Sequence, residues 1–146
     1  MNRLTRSALF SAVSVVLSVI CATSLAAQSR LSDKDVEQHM KNLKEDAKKF
    51  RSSFNSALSK STIRKTTQEK DAKTLAQNFE KQTNSMYQGF KDNTKADPYL
   101  QNCLDTARQI DKVMTSTPLD PAANTQWSTV KTELNTLAQA FNVSGV

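Results

Sequence analysis

Among the soft, polarisable side chains of this 146-residue chain are its one histidine, His39, followed by Met40, and further on Met86 and Cys103. An imidazole, two thioethers and a thiolate gathered at one end of a helical assembly would suit Cu(I) or zinc. The same His39 and Cys103 would form a nucleophilic pair if the thiol pKa were lowered. Their spacing argues otherwise. Met40, Met86 and Cys103 fall on apolar seams, where methionine and cysteine serve as core fillers, and apolar surroundings raise a thiol pKa. His39 stands one position off its seam. With only Gly89 and Gly145 as glycines, phosphate cradles and dinucleotide fingerprints are excluded. No Cys-x-x-Cys-His and no Glu-x-x-His occurs, which removes covalent haem and di-iron carboxylate chemistry. No catalytic residue, metal or cofactor is expected, and the chain reads as a non-enzyme. A small-molecule or metal (Cu/Zn) carrier using a bundle interior is the alternative.

Charge offers a different chemistry. Lys34, Lys41, Lys44, Lys48 and Arg51 are offset by 7, 3, 4 and 3 residues, so they share one face of a helix. Lys60, Arg64 and Lys65 extend the positive region. Such a face could dock on an anionic envelope component, including phospholipid head groups or lipopolysaccharide, as weak membrane-surface contact. Against that stand Glu37, which interrupts the row, and the i,i+4 pairs Glu37–Lys41 and Glu45–Lys49, which are ordinary on solvated helices. No aromatic residue interleaves with the lysines to stack bases, so nucleic acid is not the expected partner. An unknown protein or an anionic surface is.

Four helices must carry these residues. Ser32 caps the first, and Val36, Met40, Leu43, Ala47, Phe50, Phe54 and Ala57 follow at alternating spacings of four and three. That helix should end near Leu58. Thr66-Thr67-Gln68-Glu69 is a capping box for a second helix, with a seam of Ala72, Ala76, Phe79, Thr83, Met86 and Phe90. It should stop between Gln88 and Asp92. Asp97-Pro98 and Asp120-Pro121 start the third and fourth helices by one device: aspartate caps and proline takes the first helical position. Their seams are Leu100, Cys103, Leu104, Ala107, Ile110 and Met114, then Ala123, Trp127, Val130, Leu134, Leu137 and Phe141, with an end near Asn142. Trp127 is expected in the core. Short connections make consecutive helices antiparallel. The expected fold is all-α, an up-down-up-down antiparallel four-helix bundle occupying residues 28–146 as one domain.

Residues 1–27 read as a cleavable export signal. Arg3 and Arg6 precede an uncharged stretch from Ala8 to Ala22, and small residues allow cleavage after Ala26 or Ala27. Cys21 lacks a lipoprotein-type context. Cleavage would leave a periplasmic or secreted protein whose one remaining cysteine, Cys103, cannot form an internal disulfide. Positive charge concentrates early. Residues 28–65 hold ten basic and five acidic side chains, residues 96–146 three and five.

Several clusters carry a family likeness: Phe50-Arg51 with Ser53, Phe54, Ala57 and Leu58; Phe79-Glu80 with Thr83; Ala107, Ile110-Asp111 and Met114; and Trp127 followed by Leu134, Leu137-Ala138, Ala140, Phe141 and Asn142. In these the chain resembles a group of uncharacterised exported helical-bundle proteins of bacteria. The resemblance implies location and fold, and brings no activity with it. The expected function is therefore non-enzymatic: surface binding or scaffolding in the cell envelope.

Overall fold

At Asp33, Thr67 and Pro121 helices begin where a side chain can take up amides that have no intrahelical acceptor. The computed structural model describes residues 31–92 and 97–146, the side chain of Asp97 excepted. It contains α1 (Asp33–Leu58), α2 (Thr67–Lys91), α3 (Asp97–Ser116) and α4 (Pro121–Ala140), and no strand among the described residues. Ser32 Oγ accepts the Asp35 amide at 3.2 Å, Thr66 Oγ1 the Glu69 amide at 3.3 Å and Asp120 Oδ1 the Ala123 amide at 2.9 Å. Each cap satisfies a donor that would otherwise cost about 1 kcal/mol. The leader with its cleavage sites, Cys21 and the Asp97 side chain lie outside the described residues; α3 itself starts at Asp97, so Pro98 is its second residue and not its first as expected.

The capping box of α2 departs from the reciprocal pattern. Glu69 does not return to the Thr66 amide, which bonds to the Ile63 carbonyl at 3.1 Å. Its carboxylate instead accepts the amide of Lys65, one residue earlier. The reason is local geometry: Lys65 takes φ 61°, the left-handed region, and this turns its N–H toward the helix.

All seven α1 seam residues are buried, and all but Ala57 join Ala76, Phe79, Met86, Leu104, Ile110, Val130, Leu134 and others in one apolar cluster. Its centre is aromatic. The Phe50 ring lies 4.9 Å from Phe54 and 4.8 Å from Trp127, and Phe79 meets Trp127 edge-on at 6.1 Å. Thr83, fully buried, donates its hydroxyl to the Glu80 carbonyl at 2.9 Å, so the one polar seam position leaves no donor stranded. α1 lies beside α2 and α4, and α3 beside α2 and, least closely, α4.

Seams fade at three helix ends. Phe90, Met114 and Phe141 are half-buried rather than core residues. For Phe141 the cause is that α4 stops at Ala140, slightly earlier than expected. Asn142 adopts φ 54°, its amide bonds to Gln139 O, and Val143 N–H reaches Ala138 O at 2.9 Å. This is a Schellman closure with asparagine in the left-handed position. The residues beyond it fold back. Asn135 holds the Val146 amide at 2.8 Å, and Arg108 Nη2 donates to the Ser144 carbonyl at 2.7 Å. A Cβ on Gly145 would collide with the Asn135 side chain, so the return path needs glycine there.

Between α3 and α4, Asp111 Oδ1 accepts the Trp127 indole N–H at 2.8 Å and Lys131 Nζ at 2.9 Å. These bonds, the indole's first, hold the Asp111 carboxyl below its ordinary value of 3.8. The native state therefore binds this proton less readily than the unfolded chain does. The stabilisation is complete above the unfolded value and disappears as pH falls through the lower folded value. Asp111→Asn is expected to flatten the decline in stability between about pH 5 and pH 2, measured as urea midpoints across that range. A decline as steep as in the native chain would rule Asp111 out as a source.

Candidate anion-docking site

The α1 seam faces the core, and the row one step around the helix from it faces α2. That placement sorts the five cations of the row. Lys34, Lys41 and Lys48 are exposed and make no ion pair among the described residues. Lys44 is half-buried, with Nζ 3.5 Å from Glu45 Oε1 and 5.1 Å from the Tyr87 ring centroid. Lys91 approaches the same ring from α2 at 5.6 Å. Two ammoniums around one aromatic face are held partly by its quadrupole. Arg51 Nη1 reaches Glu80 Oε2 of α2 at 2.8 Å.

Beyond Arg51 the α1–α2 junction opens into a cleft of about 650 Å³, lined among others by Arg51, Asn55, Lys65, Lys70, Lys73 and Gln77. Four cations and one acid, Glu69, line it. The acid is already engaged. Glu69 accepts Lys73 Nζ at 2.6 Å, the Lys65 amide and the Ser59 hydroxyl at 3.2 Å. Those bonds, led by that from Lys73, lower its pKa. Glu69 stays ionised, and it fixes the turn that presents Lys65. A smaller groove of about 220 Å³, lined by Lys44, Glu45, Lys48, Glu80 and Asn84, lies further along the same α1–α2 face.

Three members of the basic row, Lys44, Lys48 and Arg51, therefore line one bank of these grooves, while Lys34 and Lys41 lie outside them. Lys65, Lys70 and Lys73 supply the other bank at the turn end. Sequence reading placed Lys65 in the positive region but passed over Lys70 and Lys73, which belong to another helix. The signal available was their spacing of three at the start of α2, opposite the end of the α1 row. The charge surplus follows the same division. Residues 33–92 carry thirteen Lys and Arg against nine Asp and Glu, residues 97–146 three against five.

The soft ligands are committed elsewhere. Met40, Met86 and Cys103 are fully buried in the apolar cluster, and burial pushes the Cys103 thiol up to about 12. His39 Nδ1 sits 2.7 Å from Glu133 Oε2 of α4, and Asn42 Nδ2 donates to the other oxygen at 3.5 Å. The imidazole thus joins α1 to α4 and is not turned to the sulfurs. Among the described residues no group of three or more His, Cys, Asp or Glu side chains could hold a metal ion, and no helix is long and apolar enough to cross a membrane. Trp127, 3% exposed, belongs to the core.

Comparison with protein-family models, with curated proteins and with solved structures found no match to this chain.

Proposed function

We propose that this chain is an exported, non-enzymatic four-helix protein that docks on an anionic envelope surface through the α1–α2 face. The observation that carries the reading is the channel between these helices, with cations on both banks and its acids tied up in ion pairs. The bundle is read as up-down-up-down. In support, His39 early in α1 pairs with Glu133 late in α4, while Phe50, further along α1, meets Trp127 near the start of α4. Export rests on the arginine-led apolar leader, and its mature product would begin at Ala27 or Gln28. The resemblance to exported bacterial helical proteins agrees with that location.

Vesicle sedimentation tests the docking. The chain lacking residues 1–27 is expected to pellet with vesicles rich in phosphatidylglycerol at low salt, not with phosphatidylcholine vesicles, and to be released as salt shortens the Debye length. Replacing Lys34, Lys41 and Lys48 together by glutamine removes three exposed charges, each worth about 1 kcal/mol near an anionic surface. Affinity should fall about 100-fold at unchanged helicity. Equal binding to neutral vesicles, or an unaffected triple variant, would refute the reading.

A further inference from the structure

The channel is not uniformly basic, and its pattern is more specific than general surface docking requires. Arg51 marks one end, level with Glu80, while Lys65, Lys70 and Lys73 crowd the other, where Ser59 Oγ accepts from Lys73 Nζ at 2.9 Å. Between them the lining is neutral and hydrogen-bonding, supplied by Asn55, Thr74 and Gln77. From Lys73 or Lys70 to Glu80 along α2 is seven to ten residues, about 10–15 Å of helix axis. A single oxyanion would occupy only a fraction of that length. The cleft volume of about 650 Å³ also lies in the range that encloses a small ligand's head rather than one phosphate.

Backbone conformation at the turn adds a separate observation. Lys65 occupies the left-handed region, where glycine is relaxed and a branched or long side chain is not. Glu69 and the Ile63–Thr66 turn bond hold it there, which aims a cation at the cleft mouth. Lysine at such a position loses stability relative to glycine, and a ligand contact gives a reason for its presence.

We infer that this cleft is a headgroup site for an envelope glycolipid carrying a phosphate at each end of a short sugar unit, the chemistry of a bisphosphorylated disaccharide. One phosphate sits between Lys65 and Lys70, beside the Glu69-paired Lys73, the other on the side of the Arg51 guanidinium away from the Nη1 that Glu80 takes, and the ring hydroxyls exchange hydrogen bonds with Asn55, Thr74 and Gln77. Lysine ammoniums and the arginine fork are suited to phosphate oxygens. The amide and hydroxyl groups between them can both donate and accept. This inference rests on the docking reading above and narrows it from a charged surface to one headgroup.

The test compares phosphatidylcholine vesicles doped with bisphosphorylated lipid A, with its monophosphorylated form, or with phosphatidylglycerol at matched surface charge. The native chain is expected to prefer the bisphosphorylated lipid by about tenfold or more, the equivalent of one charge-assisted hydrogen bond. Lys65→Gly and Lys70→Gln at one end, and Arg51→Gln at the other, should each reduce that preference toward one while phosphatidylglycerol binding persists. Lys65→Gly relaxes the backbone, so its melting temperature should be unchanged or higher, which separates loss of the site from loss of the fold. The deacylated bisphosphorylated disaccharide should compete for the site. Equal binding to all three anionic vesicles at matched charge would overturn the headgroup site and leave general docking standing. A preference that survives all three substitutions would also overturn it. Absence of binding to every anionic vesicle would remove the docking reading and this inference together.

Discussion

Trp127→Ala is expected to lower the unfolding free energy by about 3–5 kcal/mol, the cost of emptying a large buried aromatic site. The indole is 3% exposed and touches Phe50 and Phe79, so its loss opens a void between α1, α2 and α4 that three rings cannot collapse to fill. It also removes one of the two hydrogen bonds that Asp111 Oδ1 accepts. Trp127→Phe reduces the cavity contribution, because it keeps most of the volume while losing the indole N–H and part of the second ring. It should cost about 1–2 kcal/mol. Since Trp127 is the chain's one tryptophan, unfolding must be followed by far-ultraviolet dichroism in urea. An alanine variant within 1 kcal/mol of the native chain, on the scale of a surface change, would show that the aromatic cluster does not hold the helices together.

The second large effect concerns a rate. Cys103 is fully buried on α3, and its thiol is pushed up to about 12, so both access and thiolate are missing in the native state. Alkylation by iodoacetamide at pH 8 should be at least about 1,000-fold slower in the folded protein than in urea, because only molecules that open can react and a domain of ordinary stability is rarely open. Mass spectrometry of timed samples gives both rates. The same burial keeps two copies from joining through Cys103 while folded. A native rate within tenfold of the unfolded one would place the thiol at the surface and reopen disulfide pairing.

What the amino-acid order could disclose depended on the range of the interaction. The α1 seam was legible to its last residue, because a heptad repeat states which face is buried without reference to anything else. The caps at Ser32, Thr66 and Asp120 were legible for the same reason: donor and acceptor lie three residues apart. Core membership of Met40, Met86, Cys103 and Trp127 followed from seam position. Helix ends were less clear. Asn142 terminates α4 through a left-handed turn that asparagine tolerates but does not demand, so Phe141 was placed in a seam that the helix no longer reaches.

The site was half legible. Lys34, Lys41, Lys44, Lys48 and Arg51 were visible as a row on one helix, but a row has no opposite bank until a second helix is laid beside it. Lys70 and Lys73 come from α2, and the pairings Arg51–Glu80 and Lys73–Glu69 decide which charges remain for a ligand. The His39–Glu133 contact spans 94 positions in the chain and leaves no local pattern at all. Periodicity specifies faces, whereas the meeting of two faces is a property of the assembled molecule.

One consequence follows from the uneven way the helices meet. α3 approaches α4 least, and a single carboxylate of α3, Asp111, takes both the indole and Lys131 of α4. Acid strong enough to protonate Asp111, at a pH below its ordinary value of 3.8, should consequently unbutton the molecule along this seam. Amide exchange would quicken first along α3, while α1 and α2, with the cationic channel between them, stayed protected. The protein would then carry a weak edge on the side facing away from the α1–α2 channel, able to breathe while that channel keeps its shape.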